Sequence, residues 1–220
     1  MDEPSELKET LVRIDADGAS LEGALSVPAG ASGIVIFAHG SGSSRLSPRN
    51  NFVAGVLREN GLATLLMDLL TAEEDRDYSR RFDIDLLTAR LEASTRWLKD
   101  NEGTATLGIG YFGASTGAAA ALRAAVKMAP FIRAVVSRGG RTDMADESLR
   151  GVECPTLFIV GGSDDVVLEL NKKSLELLAC KKELKVIPGA THLFEEPGAL
   201  EEVAVMAADW FKKFLSEEAG

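Results

Sequence analysis

Apolar residues fall into two alternating patterns along the chain. Short continuous runs occupy residues 34–37, 63–67, 106–109, 134–136 and 157–160, with a more mixed run at 184–187. Continuous apolarity over four or five residues predicts strands buried on both faces, as in a parallel sheet covered by helices. Between the runs lie longer stripes. Ile84, Leu87, Leu91 and Leu98 step by three, four and seven, which predicts one buried helix face. Leu200, Val203, Ala207, Trp210 and Phe214 predict a second, and residues 52–57 a shorter helix with Gly61 at its C-terminal cap. The opening differs: L-V-R-I-D, A-D-G, S-L-E-G-A-L-S-V alternates around an Asp-Gly pair, the signature of an antiparallel hairpin.

Hairpin followed by about six β-α units predicts one α/β domain over residues 1–220. It should have a doubly wound, mostly parallel sheet, helices on both faces and an antiparallel edge. Residues 71–82, T-A-E-E-D-R-D-Y-S-R-R-F, have weak patterning and follow a strand ending near Asp68. They should lie over the carboxyl ends of the strands, where such folds bind ligands.

Composition narrows the function. With 45% hydrophobic and 26% charged residues, the chain is globular, and a formal net charge of −10 repels nucleic acid and anionic membrane alike. The first ten residues lack a basic then apolar stretch, so no signal peptide is expected, and no run of about 18 apolar residues is present to span a bilayer. Cys154 and Cys180 form no C-x-x-C, which fits a reduced, cytoplasmic chain. No cofactor is expected, and no metal, since no His/Cys/Asp cluster has ligand spacing.

One segment holds two glycine patterns. G-x-G-x-x-G from Gly108 to Gly113 has dinucleotide-binding spacing, but Gly108 lies inside an apolar run. No acid follows at the ribose-binding distance, because Asp and Glu are absent between Glu102 and Asp143. G-x-S-x-G centred on Ser115 instead follows the buried strand L-G-I-G-Y-F-G and opens an alanine-rich helix. That is the setting of a nucleophile elbow, although a helix N-cap serine gives the same pattern.

A serine needs a base and the base a carboxylate. His192, in V-I-P-G-A-T-H, follows the last strand; His39 ends G-I-V-I-F-A-H-G and reads as a brace for its loop. Asp164 and Asp165 follow the strand ending at Val160; one would cap the next helix and leave the other for His192. Serine, acid and histidine then occur in the chain order that this fold requires. The backbone N–H of Thr116 and one from H-G-S-G-S-S-R, at Ser41 or else Gly42, are candidate oxyanion donors. Arg45, Arg138 and Arg141 lie near strand ends. Arg45 and Arg138 are candidate forks for a substrate carboxylate, with pairing to local acids such as Asp143 as the alternative.

Together H-G-S-G-S-S-R, G-A-S-T-G, V-G-G-S-D-D and G-A-T-H resemble the α/β-hydrolase superfamily, in its dienelactone-hydrolase-like branch. The resemblance runs from the hairpin to the last helix. It implies a sheet of about eight strands without a cap domain, Ser115 as nucleophile and His192 as base. The family spacing G-x-x-D-x-x-V matches Gly161, Asp164 and Val167, so it implies Asp164 as the acid and Asp165 as the cap. Dienelactone hydrolases proper carry cysteine where this chain has Ser115, which favours ordinary carboxylic esters over a dienelactone. With no cap and a short loop at residues 71–82, a small or medium substrate is expected rather than a long lipid chain. Lactones, thioesters, acyl transfer and activated phosphoesters suit the same triad, and a non-catalytic binder on this scaffold is the rival class. The expected partner is a small-molecule ester, with a homodimer through the hairpin edge as an open option.

Overall fold

The computed structural model describes residues 9–216. Residues 1–8, most of the stretch on which the signal-peptide expectation rests, and 217–220 lie outside the described residues. Strands β1 (Glu9–Ala16) and β2 (Ala19–Ser26) pair antiparallel, with Ala16 opposite Ala19. Asp17 and Gly18 turn the chain with φ of 53° and 83°, the mirror-image turn that Asp-Gly favours because it matches strand twist.

Six further strands follow: β3 (Ile34–Ala38), β4 (Ala63–Met67), β5 (Ile109–Ala114), β6 (Ile132–Arg138), β7 (Thr156–Gly161) and β8 (Lys182–Ile187). The sheet order is β1-β2-β4-β3-β5-β6-β7-β8, parallel from β4 to β8. From β3 the chain first winds outward to β4, then crosses back to β5 on the other side. The carboxyl ends of β3 and β5 therefore flank a topological switch point, the usual ligand crevice of an open α/β sheet.

Both faces of the sheet are covered. Helices α1 (Pro48–Glu59) and α5 (Ala199–Leu215) bury Val53, Leu57, Val203 and Phe211 on one face. Helices α2 (Ile84–Asp100) and α3 (Thr116–Lys127) bury Leu87, Leu91, Leu98 and most of the alanines of α3 on the other, where the C-terminal end of α4 (Asp165–Leu177) also packs. This is the α/β-hydrolase architecture.

Two boundaries differ from the sequence pattern. Helix α1 is twice the predicted length because Ser47 caps it, accepting from the Asn50 N–H, and Pro48 fits its first turn. Strand β5 begins only at Ile109, so most of the run at 106–109 lies ahead of the strand, and the strand itself is rich in glycine. The reason is packing: an added Cβ at Gly110 would lie 2.6 Å from the Phe211 ring of α5, and at Gly113 2.4 Å from Ala118 Cα of α3. Small residues let both helices close on the strand that carries Ser115.

Residues 71–82 form two short 3-10 turns, Glu74–Arg76 and Tyr78–Phe82. Glu74 anchors them to α2 through Arg90 at 2.7 Å, and Arg81 grips Asp75 with both Nε (2.8 Å) and Nη2 (2.9 Å). Arg81 Nη1 comes within 3.6 Å of where a Cβ on Gly42 would stand, so the segment reaches the loop after β3, as expected.

Candidate active site

Ser115 stands between β5 and α3 with φ 50° and ψ −120°. A left-handed conformation in a residue with a Cβ costs about 1–3 kcal/mol and persists only where packing holds it. The hold is visible. The Ser115 N–H donates to the Arg138 carbonyl at 3.3 Å, and the Arg141 N–H donates to the Ser115 carbonyl at 3.0 Å. Gly117, in the first turn of α3, lets that turn press on β3, since a Cβ there would lie 2.2 Å from the Ala38 oxygen. Ser115 occupies the N-cap position of α3, yet its hydroxyl makes no capping bond.

Asp164 repeats this behaviour. It occupies the N-cap position of α4 without capping, and its Oδ2 accepts from His192 Nδ1 at 2.7 Å. Asp165 is therefore not the cap: it is exposed in the first turn of α4. The helix entrance and the bond to His192 thus fall on one aspartate, whose side chain turns from α4 to the loop after β8. A carboxylate only accepts, so Nδ1 carries the proton and Nε2 presents a lone pair. The imidazole packs on the end of β6, where a Cβ on Gly139 would lie 3.4 Å from His192 Nδ1. Gly139 follows Arg138, the residue whose carbonyl holds Ser115. The structure thus joins Asp164 to His192 and brings the imidazole to the end of β6, next to the residue that holds Ser115; among the described residues no hydrogen bond links the Ser115 hydroxyl to the imidazole.

Ser41 and Thr116 line one narrow recess together with Gly40, Gly42, Leu69 and Arg81. The N–H of Thr116 belongs to the first turn of α3, whose N–H groups lack partners within the helix and carry its positive end.

His39 braces its loop. Its Nε2 accepts from the Leu69 N–H at 3.0 Å, and its Nδ1 donates to the Gly40 oxygen at 2.9 Å. Both nitrogens are occupied, and burial pushes its pKa below the ordinary histidine value. The thiols are likewise unsuited to attack: burial raises Cys180 and pushes Cys154 up to about 12.

Arg45 and Arg141 follow the local-acid alternative, and the carboxylate-fork expectation for Arg45 and Arg138 is not met. Arg45 is held inside the chain by Asp68 and Glu22, each at 2.7 Å, so it offers no open fork. Arg141 is paired bidentately with Asp143 at 2.9 Å. Arg138 is buried over the Phe194 ring beside Asn50, and burial with the nearby Arg49 lowers its pKa to about 10. Its Nε and Nη1 have no partner among the described residues and no solvent contact, so a substrate carboxylate has no route to them as the chain stands. Burial beneath α1 and the loop of His192 was not legible in the sequence. Also unforeseen is the cluster Arg45–Asp68–Glu22, although Asp68 directly follows the β4 run.

The model of the dienelactone hydrolase family matches residues 21–216. The chain belongs to that family. A crystal structure of a dienelactone hydrolase from Anabaena variabilis is 53% identical, with a TM-score of 0.93 over 96% of this chain and 99% of that one. The esterase Est1E from Butyrivibrio proteoclasticus shares the fold at 17% identity, with a TM-score of 0.79 over 92% of this chain and 98% of that one. A Mycobacterium tuberculosis relative, named as a candidate phosphoribosyl transferase, is 56% identical over 205 residues. Those residues are 93% of this chain and 46% of that relative, so the chain spans about half its length. Among the described residues no helix is long and apolar enough to cross a membrane.

Proposed function

We propose that the chain is a serine hydrolase of small to medium carboxylic esters, with Ser115, His192 and Asp164 as its triad. Two observations support this reading: the 2.7 Å bond from His192 to Asp164, and a strained serine whose hydroxyl caps nothing, held by the strand end on which the imidazole packs. His192 Nε2 takes the Ser115 proton as Oγ attacks the ester carbonyl, and Asp164 stabilises the imidazolium. N–H groups of Thr116 and Ser41 hold the oxyanion, each worth roughly 3 kcal/mol of barrier. His192 then protonates the leaving alcohol, and water cleaves the acyl-enzyme by the reverse sequence. The missing bond between Ser115 and His192 suits this reading, since catalytic hydrogen bonds often tighten only with substrate bound.

Family membership supports a hydrolase. The transferase name belongs to a chain more than twice as long as the matched segment, so it supports no transfer chemistry here. Ser115→Ala should abolish hydrolysis of p-nitrophenyl acetate, and a fluorophosphonate probe should label the wild-type protein at Ser115 alone. Full activity in the alanine variant, or no labelling of folded protein, would overturn the proposal; the second result would favour a non-catalytic binder.

A further inference from the structure

Beside the recess of Ser41 and Thr116 opens a cleft of about 340 Å³ between β2, the loop after β3 and the segment after β4. Cleft and recess share His39, Leu70 and Asp75 as walls, so they adjoin. An ester with its carbonyl oxygen at the oxyanion donors would extend one arm past His39 into this cleft.

The lining defines that arm. Its carboxylates already face guanidinium groups: Arg45 holds Asp68 and Glu22, and its backbone N–H donates to Asp68 at 2.8 Å, while Arg81 holds Asp75. A cationic arm would feel the excess of acid but could pair only with carboxylates that already hold an arginine. An anionic arm meets a surplus of negative charge, since three acids stand against two arginines. What remains open is neutral hydrogen bonding. The Ser20 and Ser43 hydroxyls line the cleft, neither bonded to any described residue of the chain, and the paired carboxylates keep lone pairs able to accept from O–H groups. An alkyl chain would strip water from these groups and return nothing, whereas hydroxyls replace that water bond for bond.

We propose that this cleft is a specificity site for one arm of the ester and that the arm is a neutral polyhydroxyl group, of the size of glycerol or one monosaccharide. The inference rests on the hydrolase reading above. Two matched series test it. One carries a single acid on glycerol, glucose, n-butanol, n-hexanol and choline. The other carries methanol on gluconate, hexanoate and succinate monoanion.

In at least one series the polyhydroxyl member should exceed its alkyl counterpart in kcat/KM by about tenfold or more, as expected where a site is built to bond hydroxyls. Glu22→Leu and the surface variant Ser20→Val should each pull that ratio towards one, and Glu22→Gln should keep part of it. Alkyl or charged arms equal to or better than polyhydroxyl arms in both series, with Ser115-dependent hydrolysis of p-nitrophenyl acetate intact, would overturn the cleft assignment alone. An unchanged ratio in both Glu22→Leu and Ser20→Val would do the same. Absence of p-nitrophenyl acetate hydrolysis would overturn the hydrolase reading, and the specificity site with it.

Discussion

Replacing Asp164 by asparagine removes one charge and leaves the shape. In the proposed first step His192 becomes an imidazolium whose Nδ1 lies 2.7 Å from Asp164 Oδ2. With charge centres about 4 Å apart and an effective dielectric near 20, that attraction is worth about 4 kcal/mol, or about a thousandfold in rate. The side chain of Asp164 is only 14% exposed, but His192 is 39% exposed, so solvent screening pulls the figure down. A second effect adds to it: an amide N–H facing Nδ1 would place the ring proton on Nε2, where it blocks acceptance from Ser115. The expected loss is therefore about 10³- to 10⁴-fold in kcat, with KM little changed. Steady-state hydrolysis of p-nitrophenyl acetate reads both constants, and thermal unfolding checks that the variant is folded. Asp165→Asn, altering an exposed neighbour, should keep wild-type kcat. Asp164→Asn retaining more than a tenth of kcat, or Asp165→Asn losing as much, would refute the reasoning.

Gly117→Ala forces a methyl to within 2.2 Å of the Ala38 oxygen and 2.5 Å of the His39 oxygen, and both are backbone atoms that cannot swing away. Urea unfolding should report a loss of about 3 kcal/mol or more, and a loss under 1 kcal/mol would contradict the packing described for the elbow. Arg138→Met exchanges a buried guanidinium with two unpartnered nitrogens for an apolar chain of similar length. Stability should stay level or rise, by up to about 2 kcal/mol; a loss above 1 kcal/mol would show that the Asn50 bond and the Phe194 ring outweigh the cost of burying the charge. His39 is held neutral by burial, so its folded pKa lies below the unfolded value near 6.5. Its contribution is complete above that pH and is lost as pH falls through the folded pKa, at up to about 1.4 kcal/mol per unit. His39→Gln should flatten the stability profile below pH 6.5, and an unchanged slope there would argue against this assignment.

The sequence pattern reaches as far as local physics does. The stripe Ile84-Leu87-Leu91-Leu98 is buried in α2 as predicted, because helix periodicity records which face meets the sheet. Strand β5 is read less well, because the demand on it comes from α3 and α5, distant in sequence, and glycine carries no apolar signal. Asp164 and Asp165 show the same limit. Capping preference alone leaves the two equivalent, and only the loop after β8 decides which carboxylate turns away from its helix. Nor does order along the chain show that Arg45 is consumed by acids on β2 and after β4, since those pairings exist only once the hairpin joins the sheet. In each case the illegible part is a contact between segments far apart in the chain.

Helices α3 and α4 begin on residues that decline the role their position offers. Turning either side chain inward would secure an uncapped helix entrance, typically by about 1 kcal/mol. Laboratory evolution screened for heat resistance alone would reward that rotation, or a residue better suited to it, at positions 115 and 164. Robust but silent variants should accumulate at those two sites, so any such campaign needs a turnover screen alongside the thermal one.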